Sequence, residues 1–356
     1  MRTDDYDYEL PSELIAQGPA EPRDSSRLLV LRRLDGVLRH LTFSDLPGCL
    51  RPNDLLVFND SRVFPARLYG RKPIGGKPLG ARVELLLLER LKGADWRALA
   101  RPGRRLREGA RFYVDGMKDG AATVLGVCAD GTRVVRLPEG IDLADVGVVP
   151  MPPYIRTRLR DTERYQTVYS RHEGSVAAPT AGLHFTEDLL GRIRSFGIET
   201  IFVTVHVGWD SFRPVTVDDP REHHMHSERY ELSTGSAAAI NRAKAEGRRV
   251  VVVGTTAVRL LESNAAADTV LEGCERSKDD PGGPLSPGRG ITDLFIGVGH
   301  EFRVVDALIT NFHLPRSTLL MLVSAFAGRC RIRAAYEEAI AHRYRFYSLG
   351  DAMLIH

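Results

Sequence analysis

Residues 249–256 read RVVVVGTT. Four consecutive β-branched apolar residues do not alternate between a wet and a dry face, so they read as a strand buried on both sides. Gly254-Thr255-Thr256 then turns the chain into a segment whose spacing predicts a helix over 257–263. Upstream, residues 237–245 read as a helix with Gly247 as its stop. Helix, buried strand, glycine turn and helix in that order predict a mainly parallel sheet covered on both faces.

The same texture extends outward. Thr186 is a plausible N-cap, and Leu189, Leu190, Ile193 and Phe196 mark one helical face that Gly197 ends. IETIFVTVHV, 198–207, reads as a strand with Ile201, Val203, Val205 and Val207 on one face and Thr204 and His206 on the other. FRVVDALIT, 302–310, reads as a further strand, followed by the loop NFHLPRS. Helices are expected over 318–327 and roughly 331–342, and AMLI near the end as a last strand. DLLVF, 54–58, is a short buried strand ending in the polar turn Asn59-Asp60-Ser61-Arg62. From Ala66 to about Pro150 the runs become short, as in ARVELLLLERL, WRALA, ARFYV and TRVVRL, with Gly, Pro and Asp between them. That pattern belongs to a sandwich or barrel. The fold class is therefore α/β, with a mixed, mainly parallel sheet domain built from 1–65 and 151–356 and interrupted by a small β domain at 66–150. Residues 264–290 contain KDDPGGPLSPGRG and are expected to form a flexible loop.

Composition narrows the class. With 356 residues and 43% hydrophobic content the chain can bury a core without staples. Cys49, Cys128, Cys274 and Cys330 lie far apart, which argues against a zinc knuckle or a disulfide framework. The N-terminus, MRTDDYDYEL, is acidic and lacks signal-peptide architecture. LLMLVSAFAG, 319–328, is about half the length that spans a bilayer. A cytoplasmic protein with no membrane partner is expected. A net charge of +3 does not by itself indicate nucleic acid, although arginines cluster at 101–107, 156–164 and 329–345.

Sites in open α/β sheets gather at the carboxyl ends of strands. Four polar strand ends stand out: Asn59 to Arg62, His206 to Gly208, Gly254 to Thr256, and Asn311 to His313. The backbone at Gly254-Thr255-Thr256 could hold an anion at a helix start. AAPTAGLHF, 177–185, combines Pro179, Gly182, Thr180 and His184 in the manner of a rigid turn that hugs a ligand. REHHMHSERYEL, 221–232, is a metal candidate, because His224, His226 and Glu228 alternate, and His223 with His226 is a second pairing. A metal-dependent hydrolase using the His223–Glu228 cluster and a non-catalytic RNA-binding protein are therefore two competing readings.

Longer motifs add a resemblance. YDYELPSELIAQGPAEPRDSSRLLVL, DLLVFNDSRVFPARLYG, ERYQTVYSRHEGSVAAPTAGLHFTEDLL, HHMHSERYEL, VVVGTTAVRLLES, VVDALITNFHLPRSTLLMLVSAFAG and RYRFYSLGDAMLI follow in order over most of the chain. Together they resemble the S-adenosylmethionine:tRNA ribosyltransferase-isomerases of queuosine synthesis. The resemblance implies an α/β domain with an inserted β-barrel domain, a monomer, and no metal or other cofactor, S-adenosylmethionine being consumed as a substrate. It implies transfer and isomerisation of the ribosyl moiety onto 7-aminomethyl-7-deazaguanine at the wobble position of tRNA. Epoxyqueuosine forms, and adenine and methionine leave.

The implied chemistry needs a base for a ribose C–H proton made acidic by the sulfonium, and an acid for the departing adenine. His184, His206 and Asp60 are the candidates for proton transfer, Asp60 alternatively for holding ribose hydroxyls or the amine with Asp306. Thr255, Thr256 and Arg259 are candidates for the methionine carboxylate. Asn311, His313 and Arg316 are candidates for adenine or a tRNA phosphate. Arg62, Thr180 and Gly182 complete the expected substrate site. His223, His226 and Glu228 match the H-x-x-H-x-E pattern. Trp209-Asp210-Ser211-Phe212 and Val298-Gly299-His300 depart from the usual pattern in two loops.

Overall fold

A computed structural model describes residues 2–117, 120–157, 159, 161–208, 215–225, 227–266 and 282–356. The chain forms two compact units. One comprises Met1–Ser61, Pro152–His172 and Ala178–His356, the other Arg62–Met151 and Glu173–Ala177. The inserted unit thus starts a few residues before the expected 66 and takes back a short return segment.

Among the described residues, the main sheet of the first unit has nine strands. They are β1 (Arg27–Leu31), β2 (Leu38–Thr42), β3 (Leu55–Asn59), β12 (Glu199–Val205), β13 (Glu228–Leu232), β14 (Val250–Val253), β15 (Gly288–Thr292), β16 (Ala307–Asn311) and β17 (Ala352–Ile355). Their order is β15-β13-β12-β3-β14-β16-β17-β1-β2. The central run β12-β3-β14-β16 is parallel, and antiparallel pairs flank it. Alternation along the central strands explains their unbroken apolar sequence. Leu55, Val57, Val250 and Val252 enter one core layer, while Leu56, Phe58, Val251 and Val253 enter the other. Both faces are dry because helices cover both.

The helices of this unit are α2 (Glu187–Ser195), α3 (Thr234–Ala245), α4 (Thr255–Ala266), α5 (Thr318–Ala327) and α6 (Arg329–Ala341). Thr186 and Ser317 cap α2 and α5 by accepting from the backbone N–H of Leu189 and Leu320. Short strands β4 (Ser61–Val63) and β11 (His172–Ser175) lie where the chain passes between the units.

The second unit is a closed barrel of β5 (Arg67–Arg71), β6 (Arg82–Arg90), β7 (Asp95–Arg101), β8 (Arg111–Val114), β9 (Ala121–Val127) and β10 (Arg133–Arg136), with α1 (Leu143–Val146) after it. Val83, Leu85, Leu87, Ala98, Phe112, Val124 and Val135 are buried in it.

Several local expectations need correction. The strand expected over 302–310 begins only at Ala307. Before it, the Glu262 carboxylate accepts from the backbone N–H groups of Arg303, Val304 and Val305. A side chain there replaces a neighbouring strand. The helix expected from 257 begins at Thr255, so both threonines are helical. Phe196 is 59% exposed because it follows the last helical residue and leaves the apolar face. The loop expected over 264–290 is ordered at both ends: α4 runs to Ala266, Leu285 is locked by Asn241, and β15 starts at Gly288. Residues 267–281 lie outside the described residues. Among the described residues, Cys49, Cys128 and Cys330 are free thiols. No described helix is long and apolar enough to cross a membrane.

Candidate functional site

Parallel pairing places the carboxyl ends of β12, β3, β14 and β16 along one edge of the sheet. The four polar strand ends therefore meet there. A cleft lies between the ends of β14 and β16. Thr255 and Thr256, in the first turn of α4, line it together with Arg259 one turn later. Thr180, Asn311 and His313 form another part of the wall, and Tyr154, Phe312 and Tyr347 supply aromatic surface.

Arg259 is 3% exposed. Its Nη1 donates to Glu228 Oε2 at 2.7 Å and its Nε to the Leu294 carbonyl at 3.0 Å. The guanidinium at the cleft is therefore anchored from behind, and its charge is largely matched by a buried carboxylate. This overturns the alternating metal triad. Glu228 is 2% exposed and neutralised by Arg259, whereas His224 is exposed to solvent. Glu228 also cannot act as a ligand-binding carboxylate in the open cleft; it supports Arg259. His223 is half-buried outside the cleft lining, and His226 lies outside the described residues.

His184 is buried behind the wall and does not line the cleft. Its Nδ1 lies 2.7 Å from Ser26 Oγ and its Nε2 3.1 Å from Asn311 Nδ2. Its ring stacks on Phe43 at 4.9 Å. Burial pushes the imidazole down to about 4, so it is neutral at physiological pH. Asn311 in turn accepts from Thr180 Oγ1 at 3.0 Å. A direct proton-transfer role for His184 has no geometric support, because Ser26 and Asn311 engage both ring nitrogens and the ring itself does not line the cleft.

Gly182 is similarly internal. A Cβ there would collide with the Tyr169 hydroxyl and with the Thr167 methyl. The close approach that demands glycine is thus protein against protein, not a ligand against backbone.

Asp60 is 4% exposed at the end of β3. Thr204 Oγ1 donates to its Oδ1 at 2.7 Å, and His172 Nε2 stands 3.6 Å from its Oδ2. Burial raises this carboxyl above the usual range, against the pull of Thr204, His172 and Arg171. His206, just past β12, has its imidazole pushed down by burial and then by Arg229 and His172. Its Nδ1 is buried with no hydrogen-bond partner among the described residues. His313 Nε2 pairs with Thr310 Oγ1 at 2.8 Å, and burial pushes that imidazole down to about 3.

Three expected residues lie elsewhere. Asp306 precedes β16, at the opposite end of that strand from Asn311. It accepts from Lys244 Nζ at 3.0 Å and from the Val250 N–H at 2.9 Å. The late start of the strand explains the error. Arg316 pairs with Asp4 at 3.4 Å and is not part of the cleft lining. Arg62 sits in β4 and belongs to the second unit. Trp209 to Phe212 lie outside the described residues, whereas Val298 and Gly299 form an exposed turn, Gly299 at φ +97°, and His300 after it is half-buried.

Ser26, Tyr154, His172 and Tyr347 went unmarked in the sequence. Tyr347 holds φ at +70°, uncommon for a bulky residue. Its ring meets that of Tyr154 at 5.0 Å, and burial pushes its hydroxyl up to about 12. Its position in the matching segment RYRFYSLGDAMLI was the available signal.

These features make a candidate ligand site on an α/β scaffold with an inserted barrel. The model of the family described as queuosine biosynthesis protein matches residues 3–355. A relative from Symbiobacterium thermophilum, named S-adenosylmethionine:tRNA ribosyltransferase-isomerase, is 51% identical over 360 residues, covering 100% of both chains. One of the same name from Moorella thermoacetica is also 51% identical, with the same full coverage. A crystal structure of an S-adenosylmethionine tRNA ribosyltransferase from Thermotoga maritima aligns with a TM-score of 0.54 at 38% identity, covering 99% of this chain and 100% of that one. The chain belongs to the queuosine biosynthesis protein family.

Proposed function

We propose that this enzyme transfers and isomerises the ribosyl moiety of S-adenosylmethionine onto 7-aminomethyl-7-deazaguanine at the wobble position of tRNA. The products are epoxyqueuosine in the tRNA, adenine and methionine. The observation that carries the reading is the 51% identity, over the whole chain, to relatives named for that activity. The cleft supplies fitting chemistry. Thr255 and Thr256 at the start of α4, with Arg259, suit the methionine carboxylate. Tyr154 and Tyr347 offer aromatic faces to the sulfonium. Asn311 and His313 present neutral hydrogen-bonding groups to the purine or ribose.

We assign proton transfer to Asp60 and His206, which stand at the adjoining ends of β3 and β12, outside the cleft lining itself. A neutral His206 with an unpartnered Nδ1 is in the state a base requires. A carboxyl raised by burial, such as Asp60, is in turn suited to protonate a leaving nitrogen. The test is incubation with S-adenosylmethionine and precursor-bearing tRNA, followed by nucleoside mass spectrometry. Epoxyqueuosine is expected. Folded protein that binds this tRNA and yields none would refute the activity.

A further inference from the structure

We infer that His184 is a positioning residue, locked between Ser26 and Asn311 so that Asn311 and Thr180 present one fixed hydrogen-bonding polarity to the cleft. The inference rests on the ribosyl-transfer reading and assigns His184 a part in that reaction other than acid or base.

The argument follows donors and acceptors. Asn311 Nδ2 carries only hydrogens, so at 3.1 Å it donates to His184 Nε2. With Nε2 accepting, a neutral ring carries its proton on Nδ1, which donates to Ser26 Oγ at 2.7 Å. The stacked Phe43 ring, 28° from coplanar, holds the imidazole plane. The Asn311 amide is thereby prevented from flipping. Its Oδ1 faces Thr180 Oγ1, which spends its hydrogen on that bond. The second N–H of Asn311 and the lone pairs of Thr180 Oγ1 remain for a ligand. Such a neutral donor beside an acceptor suits uncharged polar groups, namely a ribose hydroxyl or a purine edge. A charged histidine would place a cation behind the wall of a site that must accept a sulfonium.

Ser26, Asn311 and Thr180 come from three separated parts of the chain, so His184 joins them only in the folded state. At 4% exposure it has no path of its own to a substrate. Its influence passes through Asn311.

The experiment uses the full-length enzyme. Imidazole ¹⁵N NMR should show His184 as the neutral Nδ1–H tautomer, and an Nε2–H tautomer would overturn the assignment. Steady-state formation of epoxyqueuosine is then compared for wild type, His184→Ala and His184→Gln. Alanine should lower kcat/KM for S-adenosylmethionine about tenfold. Glutamine can both accept and donate, and should restore it to within about threefold. The pH profile of kcat should keep its limbs in both variants. An alanine variant as active as wild type, or loss of a limb in the glutamine variant, would overturn the inference. Should His184→Ala fail to fold, Ser26→Ala removes only the acceptor for Nδ1–H. Its effect should be non-additive with that of Asn311→Ala, and additive effects would count against the network. A wild-type enzyme with no activity would sink the ribosyl-transfer reading instead. The tautomer, and a calorimetric comparison of S-adenosylmethionine affinity, would still decide the role of His184.

Discussion

Glu228→Gln separates a structural carboxylate from a ligand-binding one. The Glu228 and Arg259 side chains are 2% and 4% exposed and meet at 2.7 Å. The substitution is nearly isosteric but leaves the Arg259 charge buried against a neutral amide. The Leu294 carbonyl at 3.0 Å and the Thr292 carbonyl at 3.5 Å remain as acceptors, and neither supplies a countercharge. Removing one partner of a buried pair costs about 3–5 kcal/mol. For a unit of this size that lowers the thermal midpoint by about 5–10 °C. Replacing both residues by apolar groups, as in Glu228→Leu with Arg259→Met, should recover most of the loss, because no charge is then stranded. Scanning calorimetry at fixed pH and salt measures each midpoint, and a competition assay measures S-adenosylmethionine affinity. A midpoint within about 1 °C of wild type, together with abolished binding, would refute the reasoning. Glu228 would then be acting on the ligand and not on Arg259.

Three further outcomes follow from the site. Asp60→Asn should hold or raise the thermal midpoint at pH 7.5 while lowering epoxyqueuosine formation. Burial raises this carboxyl, so its contribution to stability declines as pH climbs from about 4 through the raised folded value; a destabilised and fully active variant would contradict this. Gly182→Ala should cost about 2 kcal/mol by overpacking against Tyr169. Adding Tyr169→Phe removes the hydroxyl in the way and should restore much of it in urea titrations. His184 and His313, pushed down to about 4 and about 3, stabilise the fold in full above the unfolded value of about 6.5. That stability is lost as pH falls toward the folded values. Urea denaturation should show a loss of about 2 kcal/mol per histidine between pH 7 and 5, reduced in His184→Gln.

Local sequence was sufficient for much of the architecture. RVVVV reads as a doubly buried strand and the short runs between Ala66 and Pro150 as small strands, and both form as such. Thr186 and Ser317 act as helix caps because capping is decided within a few residues. The convergence of Asp60, His206, Thr255 and Asn311 at one sheet edge follows from parallel strand direction, which the alternation of helices and strands already implies. The roles of single polar residues were set elsewhere. His184 sits in a segment legible as functional, yet its partners lie 158 and 127 residues away, and they turn it from the cleft. Glu228 resembled a metal ligand until Arg259, 31 residues on, neutralised it. Asp306 was expected in the substrate site with Asp60, but it precedes the strand and pairs with Lys244 at the end away from Asn311. Periodicity and turn chemistry are properties of neighbours along the chain. The protonation and availability of a buried polar group depend on which distant side chain desolvates or pairs it, and only the tertiary structure decides that.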